Sequence, residues 1–179
     1  MRNVRRITPR QRPILTVDYV RAHSRIDGGA EDGYLAGLIQ AATEYLDGYR
    51  GILHRALINQ TWAFDLDTPL SKTVKLPLPD AQSAIVTYGG ETVDPALYSV
   101  DGSEIYCEAW PTMPAAHNGA TVEFVCGYGP DANDVPEPIK LAALHLVAQW
   151  YENREAVGKG MLPLPSMGMA LLSSYRALL

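Results

Sequence analysis

Asp65 and Asp67 stand two positions apart in a stretch of alternating apolar residues, so on a strand both carboxylates face the same way. That is the arrangement a Mg²⁺-dependent enzyme asks of its oxygen ligands, and equally the solvated face of a half-buried strand. Asp131, Asp134 and Glu137 gather ahead of an apolar run, but Val135 and Pro136 fall where a calcium loop needs ligands or a glycine. Helix capping and dipole complementarity account for these acids. His145 precedes Gln149 by one turn without an HExxH pattern and reads as a hydrogen-bonded interface histidine, while His23, His54 and His117 are isolated. Cys107 and Cys126 form no CxxC pair and have no metal-ligand spacing to any histidine, so buried reduced thiols are expected. No GxSxG, no phosphate-binding glycine loop with lysine, and no GxGxxG followed by an acid occurs. The residues advertise no catalytic centre, no cofactor and no metal, and the Asp65 and Asp67 pair alone carries an enzymatic alternative.

The elements that must position these side chains run helix, strands, helix. Thr16 is a good N-cap for a short helix over 16–24, with Leu15 and Val20 placed as a hydrophobic staple. A second helix is expected over 31–50. Its stripe is Leu35, Leu38, Ile39, Ala42, Tyr45, Leu46 and Tyr49, with Gln40, Thr43, Glu44 and Asp47 on the other side, and Gly51 stops it. From Leu57 the period becomes two. Ile58, Gln60, Trp62, Phe64 and Leu66 point one way, and a β-subdomain over 56–127 follows with four to six short antiparallel strands. Pro77 and Pro79 push the Val74 to Leu78 piece to an edge, and Gly89-Gly90 and Asp101-Gly102 are hairpin signals.

A third helix is expected over 138–154, after Pro136 and Pro138. Ile139, Ala142, Ala143, Leu146, Val147 and Trp150 form one stripe, and Leu141, Leu144, Ala148 and Tyr151 nearly fill the rest. A helix apolar almost all round must be covered on more than one side, by a larger core or by another subunit. Met161 to Pro165 reads as a proline linker, and Ser166 caps a closing helix with Met169, Leu172, Tyr175 and Leu179 on one flank. The fold class is α+β: two main helices packed on each other with a small antiparallel β-subdomain inserted between them.

A chain of 179 residues with 47% hydrophobic and 20% charged residues is long enough for a real core and ordinary for a globular domain, which excludes disorder throughout. No apolar run approaches the roughly eighteen residues a bilayer crossing needs, and the first sixteen lack the apolar centre of a secretory signal, so no membrane role is expected. The net charge is −5, yet Arg2, Arg5, Arg6, Arg10 and Arg12 all precede the first acid, Asp18, which leaves −10 on the remainder. Residues 1–14 are expected to form a flexible basic arm. It is either free, ordered against a neighbouring subunit, or bound to DNA through phosphate attraction that is blind to sequence and sensitive to salt.

Several stretches in fixed order carry a resemblance: Glu31-Asp32-Gly33-Tyr34-Leu35, Ala41-Ala42, Leu57-Ile58-Asn59-Gln60-Thr61-Trp62, Pro136-Glu137-Pro138-Ile139-Lys140, Gln149-Trp150-Tyr151-Glu152-Asn153-Arg154-Glu155 and Leu171-Leu172-Ser173-Ser174-Tyr175-Arg176. Together they resemble the head-tail connector, or adaptor, family of tailed double-stranded DNA phages and gene transfer particles, across about Leu15 to Arg176. The family often has helix-PYR where this chain has Ser174-Tyr175-Arg176, and the arginine arm looks like an extension. The resemblance implies a structural virion protein, not an enzyme, made in host cytoplasm and placed in the particle neck. It implies a helical body with an inserted β-subdomain over 15–160 that forms a ring of commonly twelve copies between the portal and the next neck or tail protein, with DNA passing through. It also implies a C-terminal docking helix within 161–179, which puts Met167, Met169, Leu171, Leu172, Tyr175 and Arg176 on the portal. Leu141, Leu144, His145, Ala148 and Tyr151 become candidates for the subunit interface. The apolar helix that wants a neighbour agrees with a closed ring, and an acidic body suits a channel to which DNA must not adhere.

Overall fold

The computed structural model describes residues 1–67, 70–112, 119–154 and 166–177; His117, Glu155, the proline segment 161–165 and Leu179 lie outside them. Helix α1 (Val17–Ser24) starts as its sequence dictates, with the Thr16 hydroxyl accepting from the Tyr19 N–H at 3.2 Å and the staple residues Leu15 and Val20 both buried. Helix α2 (Asp32–Leu46) buries Leu35, Ile39, Ala42 and Leu46 as its period requires. It also buries Thr43, whose hydroxyl donates to the Ile39 carbonyl at 2.7 Å, a polar-side residue by pattern that satisfies itself within the helix. The helix ends four residues before the expected 50. Gly48 (φ +80°) turns the chain there, and a Cβ on it would lie 2.9 Å from the Trp62 ring.

The β part is larger than the single sheet expected. Among the described residues, eight strands form two antiparallel sheets. One has the order β1 (Arg2–Thr8), β2 (Gln60–Leu66), β8 (Ala120–Cys126), β4 (Ala81–Tyr88) and β5 (Glu91–Thr92); the other has β3 (Thr73–Lys75), β7 (Glu104–Tyr106) and β6 (Ser99–Asp101). The two glycine hairpins fall where expected, Tyr88 opposite Glu91 and Asp101 opposite Glu104, and β3 is an edge strand. Trp62, Phe64, Val122, Phe124 and Val86 from the larger sheet share one buried cluster with Val74 and Ile105 from the smaller, so the sheets close on each other.

The basic N-terminal segment corrects the expectation of a free arm. Residues 2–8 are β1, the outer strand of the larger sheet, antiparallel to β2 with Arg5 opposite Ala63 and Thr8 opposite Thr61. Its register breaks between Arg2 and Arg5 and again between Arg6 and Thr8, and Asn3 adopts φ +57°.

Helix α3 (Glu137–Glu152) and helix α4 (Ser166–Leu172) complete a separate helical core with α1 and α2. Ile139, Ala142, Ala143, Leu144, Leu146 and Val147 are all buried there. The second cover that α3 needs is thus supplied largely within the chain, by α1, α2 and α4. The two cores meet where Leu53, Leu57 and Ile58 pass from the helices into β2. At this seam Gly127 (φ +143°) lies so close to Ile58 and Asn59 that a Cβ would stand 2.7 Å from backbone, and the Asn59 N–H donates to the Gly129 carbonyl at 2.9 Å.

Candidate assembly surfaces

All five arginines of the N-terminal segment meet carboxylates of the body. Arg2 pairs with Asp67, Arg5 with Asp65 at 3.0 Å, Arg10 with Glu44 at 2.9 Å and Asp47 at 3.2 Å, Arg6 with Glu44 at 3.3 Å and Asp47 at 3.7 Å, and Arg12 with Asp131 at 2.8 Å. Arg6 also lies over the Trp62 ring, 5.8 Å from its centroid. Asp65 and Asp67 are therefore ion-pair partners of β1. Asp65 in addition accepts from Asn3 and Thr121, and hydrogen bonds from Asn3 and Arg5 hold it below the usual carboxylate range. Among the described residues, no group of three His, Cys, Asp or Glu side chains is placed to hold a metal ion.

Asp47 is the centre of this seam. Its side chain is fully buried, although its position in the α2 pattern put it on the solvent side. It accepts from the Leu57 N–H at 2.8 Å and from the Gln60 amide with both oxygens at 2.8 Å, and faces Arg10 and Arg6. Burial raises its pKa; the hydrogen bonds and the two guanidinium groups pull the other way without cancelling that cost. One carboxylate thus ties the end of α2, the entry to β2 and the segment after β1. A signal for it existed: Gln60 sits on the inward face of its strand between Ile58 and Trp62, and an inward amide requires a buried partner.

Between β1 and α1, residues 9–13 run as a strap with open space on both sides. A groove of about 630 Å³ separates it from Leu15, Val17, Ala36 and Ile39, and another of about 400 Å³ separates it from Ile58, Thr61, Val125 and Pro130. Within the strap Arg10 and Arg12 hold it to Glu44, Asp47 and Asp131, and beyond it Ile14 and Leu15 are buried.

A second cluster joins the end of α3 to the start of α2. The Arg154 guanidinium lies 4.8 Å from the Tyr34 ring centroid and 4.5 Å from that of Tyr151, and pairs with Glu31 at 2.7 Å; the Tyr151 hydroxyl donates to the same carboxylate. Hydrogen bonds from Arg154 and Tyr151 lower the Glu31 pKa to about 2.

The candidate interface residues on α3 separate. Leu144 is buried in its own core, a correction to its placement at a subunit contact, whereas Leu141 is exposed, Ala148 is half-buried, Tyr151 is engaged with Glu31, and His145 packs edge-on against His23 at 5.8 Å. On the closing segment, Leu172 is 3% exposed within the helical core, Tyr175 packs beside it, and the Ala177 N–H donates to the Leu53 carbonyl at 2.9 Å. Leu172 is committed to its own core, which corrects its assignment to a free docking flank, while Tyr175 is half-buried beside it. Leu171 is half-buried and Arg176 exposed; α4 also carries Met167 and Met169. Cys107 and Cys126 are free and buried, and burial, with Asp47 and Asp80 nearby, pushes the Cys126 thiol up to about 12.

No protein-family model matches the chain, and no characterised protein matches it in sequence. Solved structures with chains of similar fold include three from gene transfer agent particles. A chain from the neck of an empty gene transfer agent particle computed with C6 symmetry is 23% identical at a TM-score of 0.76, and one from the virion of a native gene transfer agent particle is 22% identical at 0.78. A third, from the neck of a native particle computed with C12 symmetry, is 19% identical at 0.72. Each likeness covers 99% of this chain and 96% of the other, so it runs over nearly the full length of both.

Proposed function

We propose that this chain is a structural neck protein of a phage-like particle: a head-tail adaptor that assembles as a closed ring around the DNA channel and joins the portal to the next neck or tail protein. The observation that carries this reading is end-to-end likeness in fold to chains from gene transfer agent necks, with 99% of this chain and 96% of the other superposed. The six-fold and twelve-fold symmetries of those necks support a cyclic assembly of copies, with twelve the expected number. The helical bundle with its inserted β-subdomain is the body of each copy. Exposed Tyr19, Tyr34 and Leu141 lie on the helical side, where a neighbouring copy would find apolar contact. The acidic excess supports the channel, since DNA slides past like charge instead of adhering to it. Docking of α4 on the portal belongs to the same reading and draws on the surface that Leu171 and Arg176 leave outside the helical core.

The reading assigns the chain no enzymatic role. The carboxylates on which an enzyme would depend, Asp65 and Asp67, are occupied by Arg5 and Arg2. The test is removal of the gene from a strain that makes the particles, followed by electron microscopy. DNA-filled heads without tails are expected, with tails restored by the gene in trans. Normal tailed particles in its absence would overturn the proposal.

A further inference from the structure

β1 is seven residues long without a single buried one; only Val4 packs, partly, against the sheet cluster, and the register to β2 is broken twice. The strap that follows has open grooves on either side. What holds residues 2–12 to the body is charge: Arg2, Arg5, Arg6, Arg10 and Arg12 on Asp67, Asp65, Glu44, Asp47 and Asp131. Past Pro13 the chain is fixed, since Ile14 and Leu15 are buried in the helical core. Swinging residues 1–12 away about Pro13 would therefore expose little apolar surface. Beyond the broken ladder, ion pairs are what oppose it, and ion pairs depend on the ionisation of their acids.

Asp47, at the centre of the seat, has neighbours that suit its neutral form as well as its charged one. The charged groups that face it are Arg6 from β1, Arg10 from the strap and, on its own helical segment, Glu44, which shares both guanidinium groups. β8 brings the Cys126 thiol, neutral with its pKa pushed up to about 12, and β2 brings the uncharged Gln60 amide. The Gln60 Nε2 donates to both Asp47 oxygens, while its Oε1 is buried without a hydrogen-bond partner among the described residues. Half a turn of that amide exchanges the two atoms, so that Oε1 accepts the O–H of a neutral Asp47. The neutral acid keeps its partner on β2 and no longer needs a cation.

We infer that residues 1–12 are an acid-released latch: closed on β2 and the end of α2 while Glu44, Asp47 and Asp65 are ionised, and swung off about Pro13, with both cores folded, once these acids take up protons. Burial raises the Asp47 pKa, and Arg10 and Arg6 draw it part of the way back in the closed form. With the segment away it stands higher still, so protons favour the open form. Glu44, against the cost of burial, is held below 4.5 by Arg10 and Arg6, and Asp65 is held below 3.8 by Asn3 and Arg5. Their share of the closure is complete above those ordinary values and is lost as the pH falls through the lowered ones. Asp47 is neutralised first, and release is expected below about pH 5. The helical body persists there, because its core is apolar and Glu31, held at about 2, keeps its pair with Arg154. Opening bares the outer edge of β2.

Nitroxides on Ile7→Cys in β1 and Thr92→Cys in β5, both exposed positions, span the larger sheet from edge to edge, roughly 20–30 Å apart by strand spacing. Cys107 and Cys126 are buried and stay unlabelled. The labelled full chain, diluted with unlabelled protein, is frozen at steps from about pH 7 to about pH 4. Its distance distribution is read by double electron-electron resonance, beside far-UV circular dichroism at each step. One narrow distance near neutrality is expected to give way to a broad distribution below about pH 5 while the circular dichroism is retained. Asp47→Asn, a mimic of the neutral acid, should broaden at higher pH than the parent. A distance that stays narrow in acid overturns the latch, and so does a distribution that is broad at every pH. Broadening that comes only with the loss of circular dichroism overturns it as well, since segment and body are then one unit. If Asp47→Asn broadens at the same pH as the parent, the switch does not lie in this carboxylate and the inference fails; where that variant does not fold, the parent's profile decides alone.

Discussion

Replacing Asp47 with alanine tests the seam most directly. The side chain has no exposed surface, accepts three hydrogen bonds from Leu57 and Gln60 at 2.8 Å, and faces Arg10, whose own side chain is only 9% exposed. Alanine leaves the Leu57 N–H and the Gln60 amide without an acceptor and leaves Arg10 to Glu44 alone. Removing one partner of a buried, hydrogen-bonded ion pair costs about 3–5 kcal/mol. For a chain of this size that lowers Tm by roughly 6–20 °C. The raised pKa of Asp47 does not contradict this, because it compares the charged acid with the neutral one, whereas alanine removes the acceptor in both states. Asp47→Asn keeps one acceptor oxygen but turns an NH2 toward the guanidinium groups, so an intermediate loss is expected. Asp65→Ala, which breaks a half-exposed pair, serves as the control at about 0–1 kcal/mol. Urea unfolding followed by circular dichroism and tryptophan fluorescence reads all three. A loss below about 1 kcal/mol for Asp47→Ala, or one equal to that of Asp65→Ala, would refute the claim that this carboxylate joins the two cores.

Two further outcomes follow from charges and thiols. Glu31 is held at about 2 against an ordinary 4.5, so its contribution is complete above 4.5 and is lost as the pH falls toward 2. Thermal midpoints of wild type and Glu31→Gln should differ at neutral pH and converge over that window; a gap of constant size across it would show that the Arg154 pair is not its source. Cys126, buried with its thiol pushed up to about 12, and buried Cys107 should both resist Ellman's reagent in the folded protein and react fully in denaturant. Stoichiometric labelling of the native protein within minutes would place a thiol at the surface.

The helices and hairpins were legible because their causes are local. Thr16, the Leu15 and Val20 staple, Gly89-Gly90 and Asp101-Gly102 act within a few residues, and each element they predict is present. What the pattern could not disclose depends on distant partners. Arg2 meets Asp67 across 65 positions, and Arg12 meets Asp131 across 119. An arginine-rich terminus with no local periodicity reads as a free arm until the acids that receive it are known. Asp47 was misplaced for a related reason: one turn of helix assigns it to the polar side, and only the arrival of β2 and the strap buries it. Leu144 is offered to a neighbour because α3 has too wide an apolar surface for α2 alone, and Leu172 to the portal because the closing helix has little polar face; the sequence does not say that α4 returns to the core of α3.

The same pairing decides between the two readings of the basic segment. If Arg2, Arg5, Arg6, Arg10 and Arg12 served to hold DNA, phosphates would have to displace carboxylates already at ion-pair distance, and Asp47 would be left buried without a cation. The gain from each phosphate contact would be offset by a pair broken in the body. Five arginines on five acids cancel, so the −5 of the whole chain is carried elsewhere. Exposed Glu91, Asp94, Asp101 and Glu123 make no ion pair within 4.0 Å among the described residues. The segment is thus complementary to the body it lies on, and the field it leaves outside repels nucleic acid. A basic segment with those properties is poorly suited to gripping a duplex.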